Sequence, residues 1–157
     1  GGGIYTSAVD AAKKVEGAKV IGVDVDQAGV IANYAAGEGA DEATIEGYKA
    51  LTVTSAMKGL YPATFDTLTD VIVNGNWEKF SGKIDTLGLV SADDPTANYV
   101  QIPMESTQWA DGKFTQDDYK ALVKAMFDGT LTVSNDITKA AKDFATVIAV
   151  DDQGNIK

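Results

Sequence analysis

Val20-Ile21-Gly22-Val23-Asp24-Val25-Asp26-Gln27 is the stretch on which the fold turns. Residues 19–24 read as a parallel strand, apolar on both faces and buried between helices. It runs into two carboxylates at its carboxyl end. In open α/β sheets, ligands bind in the crevice beyond those ends. Asp24 and Asp26 could there accept hydrogen bonds from a pair of ligand hydroxyls or hold a cation. They could equally cap backbone amides of the turn, a common use of Asp after a strand.

Outward from this strand, helical and strand patterns alternate, which argues for an α/β class. Upstream, Ser7 with Asp10 three residues on resembles a helix cap, and Ala8, Ala11, Ala12 and Val15 come after it at helical spacing. Downstream, the Gly- and Ala-rich residues 28–40 read as a loop, 41–49 as a short helix and 51–55 as a second strand. A longer helix is predicted to end near Val73, with Pro62 in its first turn and Phe65, Leu68, Val71 and Ile72 as its apolar stripe. Further strands are predicted at 85–90, 99–102 and 146–150. Thr115 with Asp118 caps a helix whose core face is Tyr119, Leu122, Val123 and Met126, and Gly129 stops it. A last short helix is predicted around Ile137, Ala140, Ala141 and Phe144.

Composition narrows the chemistry. The 157 residues include no Cys and no His, and all 13 basic residues are Lys. Disulfides, thiolate nucleophiles and Cys zinc sites are excluded. So are His bases and Ser-His-Asp triads, and so is the bidentate Arg grip on phosphate or carboxylate. With 23 acidic residues the net charge is −10, and the Lys residues are scattered, which argues against nucleic acid as a partner. No run of about 18 apolar residues is present to span a membrane, and no signal-peptide pattern opens the chain.

Two further signals lie near the Asp pair in kind. Thr54-Ser55-Ala56-Met57-Lys58 leads from a strand towards a helix. Lys58 stands where the helix dipole does not favour a cation, so it is either a ligand-facing group or a solvated surface Lys. Gly1-Gly2-Gly3 precedes a helix. Its glycines either let backbone amides approach an anionic or polar ligand or are residues left by cloning.

Taken in order, Gly1-Gly2-Gly3 with the Ala-rich helix, Val20 to Gln27, and Val53-Thr54-Ser55-Ala56-Met57-Lys58 resemble the basic membrane protein (BMP) family. These are the PnrA-like substrate-binding lipoproteins of ABC importers. Gly88-Leu89 and the helix after Thr115 fit the carboxyl-terminal portion of that family.

The resemblance implies a parallel-sheet α/β sandwich of the type I periplasmic-binding-protein kind. Residues 1–157 would be the carboxyl-terminal part of a two-lobed fold, with 1–54 and 85–157 mainly in one lobe and 55–84 crossing into the other. It implies binding without chemistry, of a purine nucleoside or a sugar-like ligand, in a cleft that closes by hinge motion. Asp24 would accept from ribose hydroxyls. Lys58 would donate to the sugar or neutralise Asp24, and Gly2 and Gly3 would bring amides near the ligand. Asp26 would lie at the same site, or with Gln27 shape the turn or hinge. Tyr5 is the local stacking candidate, with core packing its other reading. No cofactor is implied. The expected partner is an ABC permease, and the expected place is outside the cytoplasm on a lipid anchor absent from this chain.

Two rival readings come from other classes. An apolar strand ending in Asp-x-Asp also presents the nucleophile and acid of haloacid dehalogenase-type phosphatases, with Mg²⁺ on carboxylates. There Lys58 and Asp93-Asp94 would imitate later motifs, but Ala28 stands where Thr or Val usually comes after the pair. The other rival is a structural or interaction domain without a small ligand.

Overall fold

A computed structural model describes residues 2–145 and 147–154. Its centre is the parallel pairing of two short strands. β1 (Val20–Asp24) pairs with β2 (Thr52–Lys58) from Val20↔Thr52 and then Ile21↔Thr54 to Asp24↔Met57. The register slips once, so Val53 is an extra residue on β2, a bulge that re-aims the strand beyond it. The Val53 carbonyl accepts from the Gln108 amide at 2.8 Å instead. β3 (Val100–Gln101) runs antiparallel along the carboxyl end of β2, with Lys58 opposite Val100. The sheet is therefore three-stranded and mixed, in the order β1-β2-β3.

The α/β class stands, but the parallel sandwich does not. Residues 85–90 form no strand. Their extended end is held instead by a side chain: the buried Asn98 accepts from the Val90 and Ser91 amides at 2.6 and 2.8 Å and donates to the Ser91 carbonyl. The 99–102 strand shrinks to two residues and reverses direction. Of the strand expected at 146–150, Thr146 lies outside the described residues, and 147–150 pair with nothing there. Apolar alternation makes a strand only where a neighbour offers its edge.

The core is made by helices laid on β1. A 3₁₀ turn, Gly2–Ile4, leads into α1 (Tyr5–Ala12). Ile4 occupies the cap position without a side-chain bond, and Ser7 lies inside the helix rather than capping it. The larger departure is at residues 28–40. Ala28–Ala36 is a helix, α2, and it supplies most of the core. Ile31 packs with Val9 and Ala35, and Tyr5, Val20, Tyr48 and Leu51 close around them. Alanine is the best helix former, and small residues let α2 lie close to its neighbours. α3 (Glu42–Lys49) returns antiparallel, capped by Asp41, whose carboxylate accepts from the Thr44 amide at 2.8 Å.

Beyond β2 the packing thins. Gly59 joins β2 to α4 (Leu60–Leu68) and donates its amide to the Tyr99 carbonyl at 2.8 Å. A Cβ there would strike the Asn98 carbonyl oxygen and the Tyr99 Cα, so only glycine fits this crossing. α4 continues as a π-helical turn, Thr69–Val73. Asp70 clasps that turn by accepting from Asn74 Nδ2 and Asn76 Nδ2, at 3.3 and 2.9 Å, and from Lys79 Nζ. No residue of α4 or the π turn is buried. α5 (Trp77–Phe80) is a single turn. α6 (Gln116–Phe127) begins with the expected capping box of Thr115 and Asp118 and buries Val123. The helix expected near Ile137 is reduced to the 3₁₀ turn Ala141–Asp143, with Ile137 exposed.

Candidate functional site

β1 ends in an unusual turn. The Val25 amide donates to the Val23 carbonyl at 2.9 Å, closing a three-residue ring around Asp24. Asp24 has φ +72°, and among the described residues it alone takes a positive φ without being glycine. A γ-turn with the central residue at this φ is rare and strained. It is held from behind. Gln27 Oε1 accepts from the Val23 amide at 2.9 Å, and the Gln27 amide donates to Ser55 Oγ at 3.1 Å. Gly22 leaves the room for this: a Cβ on it would collide with Ser55 Oγ and Gln27 Cβ. Gln27 thus shapes the turn, as one of its two expected roles has it.

The turn delivers the Asp24 carboxylate to the end of β2. Because Asp24 pairs with Met57, residue 58 is the next one out, and Asp24 Oδ1 lies 2.6 Å from Lys58 Nζ. Both side chains stay open to solvent, at 39% exposed for Asp24 and 68% for Lys58. The hydrogen bond from Lys58, reinforced by its charge, lowers the Asp24 pKa below the ordinary 3.8. Asp24 is thus an ionised acceptor near neutral pH. Its Oδ2 makes no hydrogen bond or ion pair among the described residues. Lys58, though not Asp24, lines a cavity of about 250 Å³ together with Val25, Met57, Pro62, Tyr61 and Gln101 among others.

The remaining expected residues divide differently. Asp26 does not join the pair. Its Oδ1 accepts from the Ala28 amide at 3.0 Å, an Asx turn just ahead of α2. Asp26 lines another cavity, of about 660 Å³, together with Lys49, Glu105 and Gln108. Gly2 and Gly3 lie in the 3₁₀ turn before α1, and Gly1 is outside the described residues. No hydrogen bond among the described residues joins that turn to Asp24 or Lys58. Ile4, the last residue of that turn, and Tyr5 line an apolar cavity of about 190 Å³ with Ile21 and Val23. Tyr5 packs on the core and edge-on against Tyr34, with ring centroids 5.9 Å apart, which is its packing role.

At the start of α4 the Tyr61 ring stacks on Phe65, four residues on, with centroids 5.7 Å apart and ring planes within 13°.

Comparison with protein-family models, with curated proteins and with solved structures finds no match for this chain. Among the described residues no group of three or more Asp and Glu side chains is gathered to hold a metal ion. Asp94 accepts from the Thr96 amide at 2.9 Å in a local turn. No described helix is long and apolar enough to cross a membrane.

Proposed function

We propose that this chain contributes a ligand-binding face to an extracytoplasmic solute receptor of the BMP kind. The ligand is a purine nucleoside or another ribose-bearing molecule. The observation that carries the reading is the strained turn at Asp24. An exposed Asp–Lys pair adds little stability, whereas a non-glycine residue held at positive φ costs more than such a pair returns. A chain under selection for stability alone would place Gly or Asn there. What the strain achieves is to aim a solvent-open carboxylate, flanked by an ammonium, out of the carboxyl ends of two parallel strands.

That pair suits a cis-diol. Both ribose hydroxyls can donate to the carboxylate, and Lys58 can donate to a hydroxyl or ring oxygen. Charge-assisted bonds of this sort are about twice as strong as neutral ones. The reading also gives α4 a purpose. Its stripe of Tyr61, Phe65, Leu68 and Ile72 lies bare, with Ile72 at 71% exposed. This supports residues 55–84 as the crossover to a second lobe, which would cover the stripe and close over the site. In this reading the receptor is a lipid-anchored protein on the outer face of the membrane, delivering its ligand to an ABC permease.

The test is calorimetry with inosine on the full encoded polypeptide that carries these residues. Asp24→Ala should weaken binding by roughly 10- to 150-fold, the range for a hydrogen bond to a charged group. An affinity unchanged by Asp24→Ala would remove Asp24 from the site and the reading with it.

A further inference from the structure

We infer that Asn74 is a site of spontaneous deamidation, that the Asp70 clasp restrains the reaction, and that conversion in turn releases the clasp. Asn74-Gly75 is the one Asn-Gly pair in the chain; elsewhere Asn comes before Tyr, Trp, Asp or Ile. A glycine there leaves the amide nitrogen after Asn unshielded and free to turn. Both residues are exposed, so water and hydroxide reach them. The Gly75 amide makes no hydrogen bond among the described residues. It can lose its proton to hydroxide and attack Asn74 Cγ. The new N–C bond closes a five-membered succinimide, the Cγ–Nδ2 bond breaks, and Nδ2 leaves as ammonia. Water then opens the ring at either carbonyl, giving Asp or the isomer whose backbone runs through Cγ. The net reaction consumes one water and releases one ammonia.

The clasp holds this reaction back. Asn74 has ψ −9°, which sets the Gly75 nitrogen beside the Asn74 amide and away from Cγ. Ring closure needs that peptide to rotate. Rotation is opposed by the Asn74 amide, which donates to the Thr69 carbonyl at 3.1 Å, and by the Asn76 amide, which donates to the Asp70 carbonyl at 3.0 Å. The side chain is tied as well: Asn74 Nδ2 donates to Asp70 Oδ1 at 3.3 Å, and Asn76 and Lys79 pin Asp70 in place. Conversion reverses that contact. The product is a second carboxylate, which can only accept, and it stands one helical turn from Asp70, where like charges repel. In the isomer the backbone also gains a methylene, so the bonds to Thr69 and Asp70 lose their register. The π turn carries the exposed Ile72 and Val73, so conversion loosens this end of the apolar stripe, in one direction only.

The experiment ages the full encoded polypeptide at physiological pH and temperature. Peptide mass spectrometry follows each Asn, and an isoaspartyl methyltransferase assay counts the isomer. Asn74 should convert ahead of Asn33, Asn76, Asn98 and Asn135, and more slowly than in a synthetic peptide of residues 68–80. Asp70→Ala should speed conversion by roughly 2- to 12-fold, the factor that one ordinary hydrogen bond holds back. Lys79→Gln, which keeps both Asn contacts, should speed it less. Asn74→Asp should raise hydrogen exchange across residues 69–76 above that of fresh wild type, and aged wild type should exchange at least as fast as that variant. Asn74 staying amidated while the peptide or another Asn converts overturns the inference. So do equal rates in wild type, Asp70→Ala and Lys79→Gln, which remove the restraint, and unchanged exchange in Asn74→Asp, which removes the release.

Discussion

Residues 5–58 and the segment from Leu60 onward are both rich in apolar side chains, yet they use them in opposite ways. In the first, α1, α2 and α3 pack with β1 and β2 and bury Val9, Ile31, Ala32 and Ala35. In the second, α4 and its π turn bury nothing, and Phe65, Leu68, Ile72 and Val73 face solvent. What order there is beyond Gly59 comes largely from polar clasps: Asp70 on the π turn, Asn98 on the 90–91 loop and the Thr115–Asp118 box. The contrast teaches that hydrophobic periodicity reports a face to be covered, not what covers it. The Asp24–Lys58 pair sits at the seam, between a packed unit and a helix whose apolar stripe is exposed.

The sharpest way to break this comparison is to cut one apolar side chain on each side. Ile31→Ala should cost about 2–5 kcal/mol, as cavity formation in a packed core does. Ile72→Ala in the same chain should stay within about 0.5 kcal/mol, as surface changes do. Urea unfolding measures both, and equal costs would erase the distinction. The seam itself comes next. Gly59→Ala should destabilise by about 1–3 kcal/mol through forced backbone movement, read in the same titration; a neutral result would mean that β2 and α4 are not tightly joined.

Asp24→Gly should do the reverse and raise the thermal midpoint by about 2–4 °C, the shift for a gain near 1 kcal/mol in a chain of this size. Calorimetry checks it, and a lowered midpoint would mean that the turn carries no strain. The smallest effect is a pH dependence. The Asp70 pKa is lowered from 3.8 to about 2, first by its hydrogen bond from Lys79 and then by those from Asn76 and Asn74. A lowered carboxylate pKa gives stability that is full above the unfolded value and lost as pH falls through the folded one. Wild type should therefore lose stability between about pH 4.5 and pH 2 more steeply than Asp70→Asn. Parallel acid limbs would show that the clasp does not fasten the π turn.

The same contrast explains how much of the molecule is legible in its sequence. The span of β1, α3, the start of β2 and the capping box of α6 are legible, because each is written locally in apolar runs and cap residues, but β1 is an edge strand with Ile21 exposed rather than the strand buried on both faces that its run predicts. The juxtaposition of Asp24 with Lys58 is legible too, since two parallel strands bring their carboxyl ends together whatever joins them. The α2–α3 hairpin takes up the long connection between the two strands without displacing that pair. Residues 28–36 read as a loop because alanines give no contrast between core and solvent; their burial depends on α1 and α3. The strand at 85–90 fails for the opposite reason, having the right pattern and no strand to join. The γ-turn leaves no mark, because nothing in Val-Asp-Val announces a positive φ. It arises from Gln27, Ser55 and Gly22 acting together, one of them across the sheet.

That turn has a second effect, on association between molecules. β1 is the outer strand of its sheet, with Ile21 exposed at 67%. A bare strand edge invites another chain to pair with it, the first step towards aggregation. At Val23 that invitation is withdrawn: its amide is taken by Gln27 and its carbonyl by Val25. The arrangement that aims Asp24 therefore also blunts the edge beside it, so a change at Gln27 would disturb the solubility of the chain as well as the aim of the Asp24 carboxylate.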